Sequence, residues 1–90
     1  MYTFLMEYNQ GTYISQVKSQ NLLKARDLWI KNLDVKKINK FSEAQKKIIL
    51  INGFGTEKMV SLEGLKNTWC FTMQIGKSLA IINVIKTSED

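Results

Sequence analysis

The sequence predicts a two-layer α+β domain. An antiparallel sheet is built from a β-hairpin at each end of the chain, in the order β-β-α-α-(β)-β-β, with the helices packed on one face of the sheet. Three observations lead there. Residues 2–8 and 69–75 each alternate large apolar side chains with smaller or polar ones, the period of two that marks a strand. Each stretch is followed by a turn containing glycine and then by a second β-rich stretch. Between the hairpins, residues 20–33 place apolar side chains at helical spacing.

In the first hairpin Tyr2, Phe4, Met6 and Tyr8 share one face, against Thr3, Leu5 and Glu7 on the other. Asn9-Gln10-Gly11 supplies the turn, with Gly11 expected to take the positive φ of a tight hairpin, and TYISQVK is the return strand. A two-residue loop at Gln10-Gly11 sets Tyr8 opposite Tyr13, Met6 opposite Ser15 and Phe4 opposite Val17. A three-residue loop sets Ile14 opposite Met6 instead, and both registers stay open at this point.

Ser19 is the polar starter before the main helix, in which Leu22, Ala25, Trp29 and Leu33 fall on one side. Leu23 and Ile30 widen the apolar arc on one flank and Leu28 on the other, leaving Lys24, Asp27 and Lys31 as the solvent face. Arg26 interrupts the apolar side and is expected to snorkel. A second, shorter helix follows to about Leu50, begun by a capping box of Ser42 and Gln45 and stopped at Asn52-Gly53-Phe54-Gly55. One short strand is expected around Met59 to Leu62. The last hairpin runs from Trp69 to Thr87, and a Gly76-Lys77 loop puts Ala80, Ile82 and Val84 on the side of Trp69, Phe71, Met73 and Ile75.

The 90 residues suffice for one domain, 1–90, with a thin core, since a chain of this length hides only roughly 60 to 65% of its unfolded surface. The segment MYTFLMEYNQ lacks the basic flank and continuous apolar core of a signal peptide, and no apolar run approaches the ~20 residues of a membrane span. A cytoplasmic protein is expected, in keeping with a single cysteine, Cys70, that has no intramolecular disulfide partner.

Several chemistries are disfavoured by residue type. The chain has no histidine, which removes the commonest general base, the commonest metal ligand and the Ser/His and Cys/His pairs. With one cysteine a zinc site is excluded, the eight acids show no metal-binding spacing, and Glu89-Asp90 reads as a solvated tail. Gly76-Lys77-Ser78 is not a phosphate-binding loop. That motif requires glycine where the chain has Phe71, and it requires a helix where the chain continues in β-branched residues. Cys70 has no cationic neighbour in sequence to hold a thiolate. No catalytic residue, cofactor or metal is therefore expected.

Two surfaces remain. Residues 18–47 hold nine basic and three acidic side chains, a net of +6 against +5 for the whole chain. Lys18, Lys24, Arg26, Lys31, Lys36, Lys37, Lys40, Lys46 and Lys47 are thus candidate nucleic-acid contacts, although only one is an arginine and Asp27, Asp34 and Glu43 interrupt the run. Leu5, Ile14, Leu79, Ile81 and Ile85 fall on the sheet face that the helices cannot cover, and are candidate interface residues for a second layer such as a homodimer.

The opening hairpin followed at once by a helix with Leu22, Ala25 and Trp29 is loosely similar to the start of HicB-like antitoxin domains, over about the first third of the chain. The turn and prolines that typify that family between hairpin and helix are missing here. The resemblance implies binding rather than catalysis. The function expected is a small, non-enzymatic, homodimeric interaction module of antitoxin-like or immunity-like kind, binding a protein partner in a bacterial cytoplasm. Nucleic-acid binding through residues 18–47 is the alternative.

Overall fold

A computed structural model describes residues 1–52, 59–62 and 64–87. The α+β class is as expected: a five-stranded antiparallel sheet carries two α-helices on one face. The strands are β1 (Tyr2–Tyr8), β2 (Gly11–Val17), β3 (Val60–Ser61), β4 (Thr68–Ile75) and β5 (Ser78–Lys86). The helices are α1 (Leu22–Asn32) and α2 (Glu43–Asn52), with a single 3-10 turn at Val35–Lys37 between them. The order across the sheet is β2-β1-β5-β4-β3, so the two terminal hairpins are joined by pairing β1 with β5, and Tyr2 lies opposite Lys86. Thr87 extends this seam, its N–H donating to the Met1 carbonyl at 2.8 Å.

The first hairpin takes neither expected register. Tyr8 pairs with Gly11, Met6 with Tyr13, Phe4 with Ser15 and Tyr2 with Val17, so the two-residue loop is Asn9-Gln10. Both loop residues have positive φ, 47° and 66°, as the type I′ turn that matches strand twist requires. Gly11 is wanted for space instead. A Cβ there would lie 2.7 Å from the Tyr13 hydroxyl oxygen, which folds back over Gly11 to accept the Asn39 N–H at 3.0 Å. The last hairpin has the expected register, Trp69 opposite Val84 and Phe71 opposite Ile82, around Gly76 at φ 60°.

The helix α1 starts later than the Ser19 reading. Asn21 is the cap, its extended backbone leaving Oδ1 to accept the Lys24 N–H at 2.9 Å. The buried arc is also narrower than the sequence implies: Ala25, Trp29 and Ile30 are buried, whereas Leu23 and Leu28 are exposed. The capping box of α2 is present in both directions, Ser42 N–H to Gln45 Oε1 at 3.0 Å and Gln45 N–H to Ser42 Oγ at 3.1 Å. The helix runs to Asn52, and the stop at Gly53-Phe54-Gly55 lies outside the described residues, as does the Glu89-Asp90 tail.

Trp29 organises the core. Its ring stacks on Phe4 with centroids 5.0 Å apart and meets Phe71 edge-on at 5.9 Å, so one indole ties α1 to both β1 and β4. Val35, Ile38 and Phe41 from the connector complete the core, Phe41 standing edge-on to Tyr8, whose hydroxyl donates to the Lys40 carbonyl at 2.7 Å. In sequence the connector is mostly polar, DVKKINKF over residues 34–41. The burial of its apolar residues follows from the Asp34-capped 3-10 turn, which directs Val35 and Ile38 inward.

Candidate functional site: the uncovered face of the sheet

The register places all five candidate interface residues on the face opposite the helices. One row across the sheet reads Ile14, Leu5, Asn83, Cys70, Val60. Its neighbours read Gln16, Thr3, Ile85, Thr68 on one side and Thr12, Glu7, Ile81, Thr72 on the other, with Leu79 opposite Gln74 beyond. Leu5 and Ile14 are direct cross-strand partners, and Ile81 and Ile85 flank Asn83 on β5. Ile14 is 65% exposed, Leu79 52% and Ile81 40%; Ile85 is also exposed and Leu5 is half-buried.

The chemistry of this face is apolar and hydroxyl-rich. Among its strand residues only Glu7 is charged, set between Thr12 and Ile81. Gln16 Nε2 donates to Thr3 Oγ1 at 3.1 Å, so part of the polar complement is satisfied within the face. Cys70 is a half-buried free thiol between Asn83 and Val60. Such a surface offers contact area and few directional groups, which suits a partner's apolar side chains better than a polar small molecule.

Two sets of exposed apolar residues escaped the sequence reading. Val60, 61% exposed, ends the central row, and it could be placed only once β3 was known to pair with β4. Ile48, Leu50 and Ile51 are exposed on α2, with Ile51 at 71%. Here a signal existed: four consecutive apolar residues, 48–51, turn through roughly 300° of a helix and cannot all face one core. Only Ile49 is buried.

The basic candidates lie elsewhere, on the helical layer and its connector. Lys31, Lys46 and Lys47 line one shallow recess with Glu43 and Leu50. Lys36 and Lys37 sit on the 3-10 turn, and Lys24, Lys40 and Lys18 are exposed at separate places along the chain. Two of the set have structural duties. Lys46 Nζ donates to the Leu33 carbonyl at 2.7 Å, satisfying the end of α1, and half-buried Arg26 lies 3.8 Å from Asp27.

Gly76-Lys77 forms the loop between β4 and β5, and a strand follows it. Among the described residues no three Cys, Asp or Glu side chains gather as a metal site, and no helix is long and apolar enough to cross a membrane. Comparison with family models, with curated proteins and with solved structures gives no match to the chain.

Proposed function

We propose that the protein is a small, non-enzymatic interaction module, of antitoxin-like or immunity-like kind, that acts as a homodimer and binds a protein partner through the uncovered face of its sheet. The observation that carries this reading is the face itself. Leu5, Ile14, Leu79, Ile81, Ile85 and Val60 share one side of a sheet that carries a single charged strand residue, and no element among the described residues covers it. Antiparallel sheets tolerate one solvated face when that face is polar; an apolar one gains about 25 cal/mol per Å² when a partner removes it from water. The composition supports a binding rather than a catalytic role, since a chain without histidine lacks the usual acid-base groups at neutral pH. A free Cys70 fits a reducing compartment such as a bacterial cytoplasm.

The test is co-purification from the native host with wild-type protein and with Ile81→Lys, whose substitution centres a charge on the face. A partner retained by the wild type and lost by the variant supports the reading. Equal retention by both removes the face from consideration.

One observation favours a second reading, nucleic-acid binding: Lys31, Lys46 and Lys47 gather around one recess on the helical layer. Under that reading, affinity for duplex or single strands falls steeply with salt, and Lys31→Gln with Lys47→Gln reduces the slope. No measurable binding at low salt dismisses it.

A further inference from the structure

The two edges of the sheet are unequal. On one side the edge strand, β3, is two residues long. On the other, β2 offers seven, GTYISQV, with no charge, no proline and no bulge in its pairing to β1. Edge strands are ordinarily shielded by shortness or charge, because their unpaired backbone groups are a template for another strand. The edge β3 has the first of these protections and β2 has neither.

The direction of the unpaired groups follows from the hairpin. In a two-residue loop the closing pair, here Tyr8 and Gly11, is hydrogen-bonded, and such pairs recur at every second residue. Tyr13, Ser15 and Val17 therefore turn their backbone groups toward β1, while Thr12, Ile14 and Gln16 turn theirs outward. No strand among the described residues meets them. An open recess runs along this strand, between it and Trp29, Leu33 and Lys37.

We infer that β2 pairs antiparallel with β2 of a second copy, in a register centred on Ile14, to make one continuous ten-stranded sheet. Ile14 is the midpoint of the strand, so this register uses its full length and sets Ile14 against Ile14, Thr12 against Gln16 and Tyr13 against Ser15. It forms roughly six inter-strand hydrogen bonds through the three outward-facing residues of each copy. It also gives Ile14, 65% exposed, an apolar neighbour. Because Leu5 already lies opposite Ile14, the two-fold axis produces an unbroken Leu5, Ile14, Ile14, Leu5 ridge across the joined sheets. A register shifted by one residue sets Ile14 against Tyr13 or Ser15, whose backbone groups are turned toward β1, and one shifted by two sets it against Thr12 or Gln16 and shortens the ladder.

Pairing at the edge leaves the uncovered face free and enlarges it. The inference supplies the homodimer of the functional reading above and names its mode. It concerns a different surface from the partner-binding face, so the two fail separately.

The test is light scattering over a concentration series, together with amide hydrogen exchange, on wild type, Thr12→Lys/Gln16→Lys, Thr12→Lys/Gln16→Glu and Ile81→Lys. Wild type is expected to move toward twice the monomer mass as concentration rises. Protection should increase at the amides of Thr12, Ile14 and Gln16 but not at Tyr13 and Ser15, which β1 already protects. The first double variant sets like charges opposite each other at both ends of the ladder and should remain monomeric. The second sets opposite charges there and should dimerise, which shows that the substitutions are tolerated by the fold. Ile81→Lys should dimerise as wild type does. A wild type that stays monomeric overturns the inference, as does a dimer that survives in Thr12→Lys/Gln16→Lys. A dimer lost only in Ile81→Lys places the contact on the face and overturns it as well, while leaving the face-binding proposal intact.

Discussion

On β5, Ile82 is 0% exposed and Ile81, the next residue, is 40% exposed. The two faces of the sheet differ in this way throughout: Phe4, Met6, Phe71 and Val84 are buried in the core, Phe4 and Phe71 directly against Trp29, whereas Ile14, Leu79, Ile81 and Ile85 are open to solvent. Residue type does not separate them, since Ala80, Ile82 and Val84 are no more apolar than Leu79, Ile81 and Ile85. What separates them is cover, and cover depends on register. A slip of one residue would exchange the two sets on β5 with little loss of hydrophobic content. The Gly76-Lys77 turn and the aromatic partners Trp69 and Phe71 on β4 therefore decide which set faces the helix.

The largest expected effect breaks the covered side outright. Trp29→Ala removes the indole shared by Phe4 and Phe71 and should cost about 3–5 kcal/mol in urea unfolding, a large part of the stability of a small domain. Next comes the paired comparison on one strand. Ile82→Ala should cost about 2–4 kcal/mol, and Ile81→Ala should change the unfolding free energy by no more than about 0.5 kcal/mol. Similar losses for both would mean that the outer face is covered in the isolated protein. Ser42→Ala removes half of the α2 capping box and should cost about 1 kcal/mol, a measure of how far the helical cover depends on its own local signals. The smallest effect lies at the turn that assigns β2 to its face. Gln10→Gly relieves a non-glycine residue at φ 66° and should raise stability by about 0.5 kcal/mol in the same assay, net of the entropy glycine adds to the unfolded chain.

Much of this arrangement was legible in the residues. Period-two alternation in 2–8 and 69–75 identified the strands and the inward side of each, the Ser42-Gln45 pair marked the start of α2, and the register of the last hairpin followed from a glycine that does take positive φ. The first turn misled because Gly11 lies next to a turn whose positive φ values fall on Asn9 and Gln10. Glycine marks both conformational freedom and lack of a side chain, and here it makes room for the Tyr13 ring, a tertiary contact with no local signature. Burial of Val35 and Ile38 was hidden because a single 3-10 turn has no periodicity to detect. For the candidate surface, Leu5, Leu79, Ile81 and Ile85 were identifiable by parity alone, whereas the face of Ile14 depended on which register the first hairpin takes. Their adjacency was not legible, because it depends on β1 pairing with β5, a contact between distant parts of the sequence.

That same pairing has a consequence for how the molecule comes into being. The strands at the centre of the sheet are the ones farthest apart along the chain, so each hairpin can close locally within microseconds while the seam between them must wait for a long loop to close. On the ribosome, β1 emerges long before β5 and has only β2 beside it in the meantime, with its other edge open. A high contact order of this kind favours slow folding, and the interval before β5 arrives is when the nascent chain has most need of a chaperone.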